Sequence, residues 1–182
     1  MNRFTKILSL AVLTLILGSC TKDNDFEDHK YGMDGVKDIK IIDIPSANTT
    51  LTTTGTYSVK GTTPVVLTVP VHLSANADVN EELNVTLGVD AADTKIAAYN
   101  ASITTNPKYV RMPAGNFTLS NGGVAKIAAG SKDGSVTVTF TPSSLTAGVR
   151  YAIPLSIVSI DKSGYTISGN QGYRLILITA GI

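Results

Sequence analysis

The sequence predicts an all-β protein: an antiparallel immunoglobulin-like β-sandwich with one short helical insert, preceded by a signal peptide and a disordered tether. Three observations carry this fold. Apolar and polar residues alternate with period two through run after run from Val65 onward, which is the signature of strands with one face on a core. Clusters of Gly, Asn and Asp separate the runs. Only "DAADTKIAAYN", Asp90–Asn100, breaks the pattern in favour of a helical turn or two.

The chain begins with a basic segment containing Arg3 and Lys6, then an apolar run from Ile7 to Leu17, then Gly18-Ser19. A run of about eleven residues falls short of the roughly 20 that a membrane-crossing helix needs. The layout is that of a secretory signal peptide, residues 1–19. Cys20 is the only cysteine of the chain, so no internal disulfide can form. Leu17-Gly18-Ser19-Cys20 resembles the bacterial lipobox, in which the thiol receives a lipid and the signal is cut before it. Cys20 is therefore the expected lipidation site, and acyl chains at about 0.8 kcal/mol per buried methylene would hold the chain on a membrane.

Residues 20–35 are expected to form a lipidated acidic tether, too polar to fold. Within it "TKDNDFED" is similar to the acidic signal that exports Bacteroidetes lipoproteins to the outer face of the outer membrane; the periplasmic face is the alternative. The whole chain carries 15 Lys and Arg against 14 Asp and Glu. Loss of the signal removes Arg3 and Lys6 and leaves a net charge of −1. That balance gives no footprint for nucleic acid and no attraction to anionic lipid.

Residues 36–182 are long enough for one domain with a core of its own. "SANTTLTTTGTY", Ser46–Tyr57, reads as a solvated β edge or a loop. "PVVLTVPVHL" places Val65, Leu67, Val69, Val71 and Leu73 on one face, and "ELNVTLGVD" does the same with Leu83, Val85, Leu87 and Val89. "SVTVTF" aligns Val136, Val138 and Phe140; "RYAIPLSI" aligns Tyr151, Ile153, Leu155 and Ile157. Asn121-Gly122-Gly123, Lys132-Asp133-Gly134, Lys162-Ser163-Gly164 and Gly169–Gly172 read as hairpin turns, whose positive φ suits Gly and Asn. Pro70 and Pro154 inside strands argue for edges or bulges.

Catalytic chemistry finds little to work with. Of two histidines, His29 lies in the tether and His72 on the polar face of its strand, so a hydroxyl nucleophile lacks its base. Glu81 and Glu82 are adjacent and point apart, while Asp90 and Asp93 read as turn and cap residues. No metal-ligand or phosphate-loop spacing occurs, so no enzyme activity, metal or cofactor is expected. A sugar platform needs flat rings, and the chain has no Trp and seven Tyr. Tyr151 and Tyr173 fall in core register. Tyr57, Tyr109 and Tyr165, near loops or strand ends, are the better candidates for carbohydrate contact, with Asn100 and Asn106 as amide partners.

"NVTLGVD", "AAYN", "YVRMPAGNFTLSNGGVAKIAAG", "VTVTF" and "YAIPLSIVSI" occur in that order. Together they resemble the domain-of-unknown-function family 1735, an N-terminal sandwich domain of Bacteroidetes lipoproteins. The matching positions are Tyr99-Asn100, Tyr109, Pro113-Ala114-Gly115, Ile127 with Gly130, and Tyr151 with Pro154-Leu155, over about Ile39 to Thr179. The resemblance implies a surface lipoprotein tied to glycan capture, often with a lectin-like or family 18 glycosidase domain following. The chain stops at Ile182, so no such second domain is expected in it. Two roles follow: an accessory or glycan-binding component of a glycan-utilisation system, partnering uptake proteins, or a structural or adhesive surface module that pairs with other proteins.

Overall fold

A computed structural model describes residues 39–46, 51–76 and 78–182. The signal peptide, Cys20, the acidic tether and the domain boundary near residue 36 lie outside the described residues. Among those residues, no helix is long and apolar enough to cross a membrane.

Among the described residues eleven strands form two sheets. They are β1 (Lys40–Asp43), β2 (Thr52–Ser58), β3 (Val65–Ala75), β4 (Leu83–Val89), β5 (Val110–Arg111) and β6 (Phe117–Leu119). β7 (Val124–Ile127), β8 (Asp133–Phe140), β9 (Arg150–Ile160), β10 (Thr166–Ile167) and β11 (Tyr173–Gly181) follow. One sheet has the order β10-β1-β3-β8-β6; the other has β2-β11-β9-β4-β7, with β5 also on β9. Among the described residues one α-helix, α1, spans Thr94–Ser102 between β4 and β5.

The alternating residues point where the sequence places them. Val69, Val71, Leu73, Leu83, Val85, Leu87, Val136, Val138 and Phe140 are buried in one core between the sheets, whereas Val89 at the end of β4 is exposed. Tyr151, Ile153, Leu155 and Ile157 join them from β9, and Ile176, Ile178 and Ala180 from β11.

The turn signals do a different job from the hairpins they suggest. Asn121-Gly122-Gly123 joins β6 to β7, which lie in opposite sheets, and Lys162-Ser163-Gly164 and Gly169–Gly172 likewise carry the chain between sheets. Asn121 (φ 50°), Gly122 (φ 63°) and Gly123 (φ 88°) are successive left-handed residues. They swing the chain from one layer to the other. A Cβ on Gly123 would lie 2.3 Å from the Leu87 carbonyl oxygen, so the crossing is closed to any side chain. Asp133 and Gly134 are already part of β8.

Not all pairing is antiparallel. β1 runs parallel to β10, β2 to β11 and β5 to β9. The first strands thus close against the last ones, a partnership between distant segments that no local pattern encodes.

Both strand prolines sit where a missing donor costs little. β1 pairs with β3 only from His72 to Ala75, so at Pro70 the described neighbour is β8 alone. β9 is interior, so of the edge or bulge expected at Pro154 the edge is excluded. The Asp90 amide donates to the Pro154 carbonyl at 2.9 Å, so the proline nitrogen faces the same side. There β4 pairing stops at Leu155 and β5 pairing stops at Ala152, so the proline stands in the gap between two ladders.

A second, smaller core lies on the outer face of the second sheet. Ala152, Leu175 and Leu177 point outward from β9 and β11 and are covered by Ile96 of α1 and by Tyr109, with Tyr99 and Ile103 packed alongside. Burial on both faces explains why "LILI", Leu175–Ile178, is continuously apolar rather than alternating. Tyr173 has the parity of this outer face, not of the main core, and is only half-buried.

Candidate functional site

The helix-covered face carries the site. Nine residues make a helix that is marginal on its own in water, so α1 depends on its neighbours. Asp93 occupies the N-cap position, and its side chain makes no bond to the helix amides. Its carboxylate instead takes Arg111, with Nε at 2.7 Å and Nη2 at 2.6 Å. Asp90 pairs with Lys95 of the first turn. At the other end, Lys108 Nζ donates to the Asn100 carbonyl at 2.9 Å and also bonds the Ile103 carbonyl, a cation on orphan carbonyls.

Asn100 holds the chain that returns from the helix. Its Oδ1 accepts from the Tyr109 amide at 2.9 Å and its Nδ2 donates to the Tyr109 carbonyl at 2.8 Å. The side-chain amide therefore serves Tyr109 as a neighbouring strand would. Asn100 is spent on this clamp, and Asn106 is exposed before a cis peptide to Pro107.

The three tyrosines proposed for sugar contact are far from equivalent and do not converge. Tyr57 lies over Gly55 in β2 and meets Phe140 edge-on at 5.1 Å, packed on the main core. Tyr109 is 5% exposed. Arg150 lies over its ring at 4.3 Å and donates to its hydroxyl at 2.8 Å, while Tyr99 meets it edge-on at 5.7 Å. Tyr165 is half-buried; its hydroxyl donates to Glu81 at 2.8 Å and Lys40 sits 4.8 Å from its ring centroid. Burial, followed by the bond to Glu81 and its charge, pushes the Tyr165 hydroxyl up to about 12. Tyr151 packs in the main core as its register requires, accepting from the Thr146 amide at 3.2 Å.

Beside the second core a groove of about 380 Å³ opens between α1 and β11. The helix contributes Thr94, Lys95, Ala98, Tyr99 and Ser102; β11 contributes Tyr173 and Leu175. Lys95 Nζ lies 4.9 Å from the Tyr173 ring centroid, a cation–π contact that orients both side chains. Sequence reasoning missed this groove. Two signals mark it: the unbroken apolar run of β11, and the i, i+3, i+7 spacing of Ile96, Tyr99 and Ile103, which gives the insert an inner face.

Glu81 and Glu82 take separate partners. Glu81 serves Tyr165 and Glu82 pairs with Lys126 at 2.7 Å, which fits side chains pointing apart. His72 is partly exposed and shares a 2.7 Å contact with Asp133. Among the described residues no group of three or more His, Cys, Asp or Glu could hold a metal ion.

Fold and site together define an immunoglobulin-like sandwich module with a helix-covered outer face. Residues 37–164 match a family model described as "-like, N-terminal domain". The chain belongs to this family of N-terminal domains, of the Bacteroidetes type also called domain-of-unknown-function family 1735.

Solved structures share the fold at low identity. A proposed carbohydrate binding protein from Bacteroides ovatus is 16% identical with a TM-score of 0.57, over 78% of this chain and 37% of its own. A multidomain Bacteroides ovatus protein that includes a domain of family 1735 is 17% identical with a TM-score of 0.55, over 76% and 44%. EndoBT-3987 of Bacteroides thetaiotaomicron, with a Man5GlcNAc product, is 22% identical with a TM-score of 0.53, over 70% and 28%. The chain spans less than half the length of each. No curated protein matches it.

Proposed function

We propose that the protein is a non-catalytic, lipid-anchored protein of the outer membrane that faces the cell exterior. In this reading it is an accessory or glycan-binding component of a polysaccharide-utilisation system. The observation that carries it is the sandwich shared with Bacteroides proteins linked to carbohydrate, one of them a proposed carbohydrate binding protein and one seen with a glycan product. Leu17-Gly18-Ser19-Cys20 and the acidic residues after it support the anchor and the address.

Cell fractionation with a palmitate analogue tests the anchor: Cys20→Ala should abolish lipid label and release the protein from the membrane fraction. Undiminished membrane label would sink the anchoring role of Cys20. A glycan array probed with the purified protein tests the binding role.

One observation favours the second reading, a structural or adhesive module. β2 ends the second sheet, and an edge strand of seven residues offers main-chain groups to a partner's strand. Cross-linking on whole cells that captures a surface protein through β2, together with a silent glycan array, would favour it.

A further inference from the structure

Tyr57 and Tyr109 are packed on the two cores, whereas Tyr99 and Tyr173 line one groove together. We propose that the groove between α1 and β11 binds one neutral sugar unit of a glycan, its C–H face against Tyr173 and Tyr99 and its hydroxyls on Lys95, Thr94 and Ser102. This inference rests on the glycan-associated reading above and deepens it.

Size comes first. About 380 Å³ lies at the small end of ligand sites, which run from roughly 300 to 1,000 Å³. The lining is divided as a sugar is divided. Two tyrosine rings, Leu175 and Ala98 supply an apolar wall, and Thr94, Ser102 and Lys95 supply polar groups on the helix side. A pyranose has C–H bonds on its faces and hydroxyls around its rim. The positive C–H edges are attracted to the negative face of an aromatic ring, and the rim finds donors and acceptors.

Charge decides the class of sugar. Lys95 is the only charged residue in the lining, and it is paired with Asp90. An acidic sugar therefore meets a cation already neutralised, whereas a neutral hydroxyl still finds an ammonium donor. Ser102 donates to the Tyr99 carbonyl at 2.7 Å, which leaves its oxygen free to accept. A further polar group neighbours a lining residue. Ser156 stands opposite Tyr173 in the sheet, and its buried Oγ is the one buried side-chain hydroxyl among the described residues without a hydrogen-bond partner. Buried polar groups are normally satisfied, and a water ordered beneath a bound sugar would satisfy this one.

The test uses the purified protein on an array of neutral oligosaccharides (mannan, xylan and β-glucan fragments) and acidic polygalacturonate fragments. Titration calorimetry then follows the best neutral ligand. Tyr173→Ala and Ala98→Trp should each weaken binding tenfold or more, while Tyr165→Phe should leave it unchanged. Ala98 is exposed on α1, so Ala98→Trp fills the groove without removing packing and keeps the test valid should Tyr173→Ala fail to fold. Neutral binding that survives Ala98→Trp overturns the groove and leaves the glycan reading standing. Binding to polygalacturonate alone overturns the neutral class. Silence across the whole array overturns the groove and the glycan-binding role together.

Discussion

Ile96→Ala tests whether α1 is docked by its apolar face. Ile96 is 4% exposed and is the only buried residue of the helix. It packs with Ala152, Leu175 and Leu177, all at most 3% exposed, and with Tyr109. Truncating a buried Ile to Ala costs about 2–5 kcal/mol. A value near 3 kcal/mol is apt, because the second core is small and one side of it can relax. The N-cap of the helix has no side-chain bond to hold the first turn once this contact is lost. The loss should therefore appear as local undocking before global unfolding. At about 1.4 kcal/mol per factor of ten, 3 kcal/mol raises the open population on the order of a hundredfold. Hydrogen exchange reads this directly. Amides from Ala98 to Ser102 should exchange about a hundredfold faster, while those of Val136 and Val138 in the main core keep their protection. Unchanged protection in α1 would refute the docking argument, and the groove that α1 lines would lose its wall.

Tyr151→Ala should cost about 3–5 kcal/mol in urea melts, the range for aromatic truncation in a core; a melt like that of the wild type would mean the register of β9 is wrong. Tyr165 ionises with a pKa moved from 10.0 to about 12. The folded form holds the proton more tightly, so its contribution is present below pH 10 and is lost as pH rises through 12. Alkaline absorbance titration should show a late step that Tyr165→Phe removes; a variant that instead loses intensity near pH 10 contradicts the burial argument. Gly123→Ala should destabilise by about 1–3 kcal/mol, the scale of a strained backbone position. Gly115→Ala, with nothing within 4 Å of an added Cβ, should stay within about 0.5 kcal/mol; equal melting temperatures for the two would remove the steric reason for Gly123.

The alternation of Val69, Val71 and Leu73, and of Val136, Val138 and Phe140, was enough to assign strands and their inner faces. Period two is a local property, and one buried face of a sheet enforces it residue by residue. The helical insert and the core place of Tyr151 were legible for the same reason. The order of Tyr99-Asn100 and Tyr109 was visible too, yet its structural meaning was not: Asn100 clamps Tyr109 as the chain leaves α1, and Tyr99 turns to the groove.

What only the tertiary structure decided is pairing between distant segments. A glycine turn is the same local event whether it closes a hairpin or carries the chain across to the other sheet, so Asn121-Gly122-Gly123 could not announce which. The parallel closure of β1 on β10 and β2 on β11 joins residues more than a hundred positions apart, beyond the reach of any periodicity. Tyr173 shows the consequence at the candidate site. Its register was plain, but which face of β11 was the interior depended on a helix from elsewhere in the chain covering the other one. Burial on both faces erased the alternation that would have told them apart.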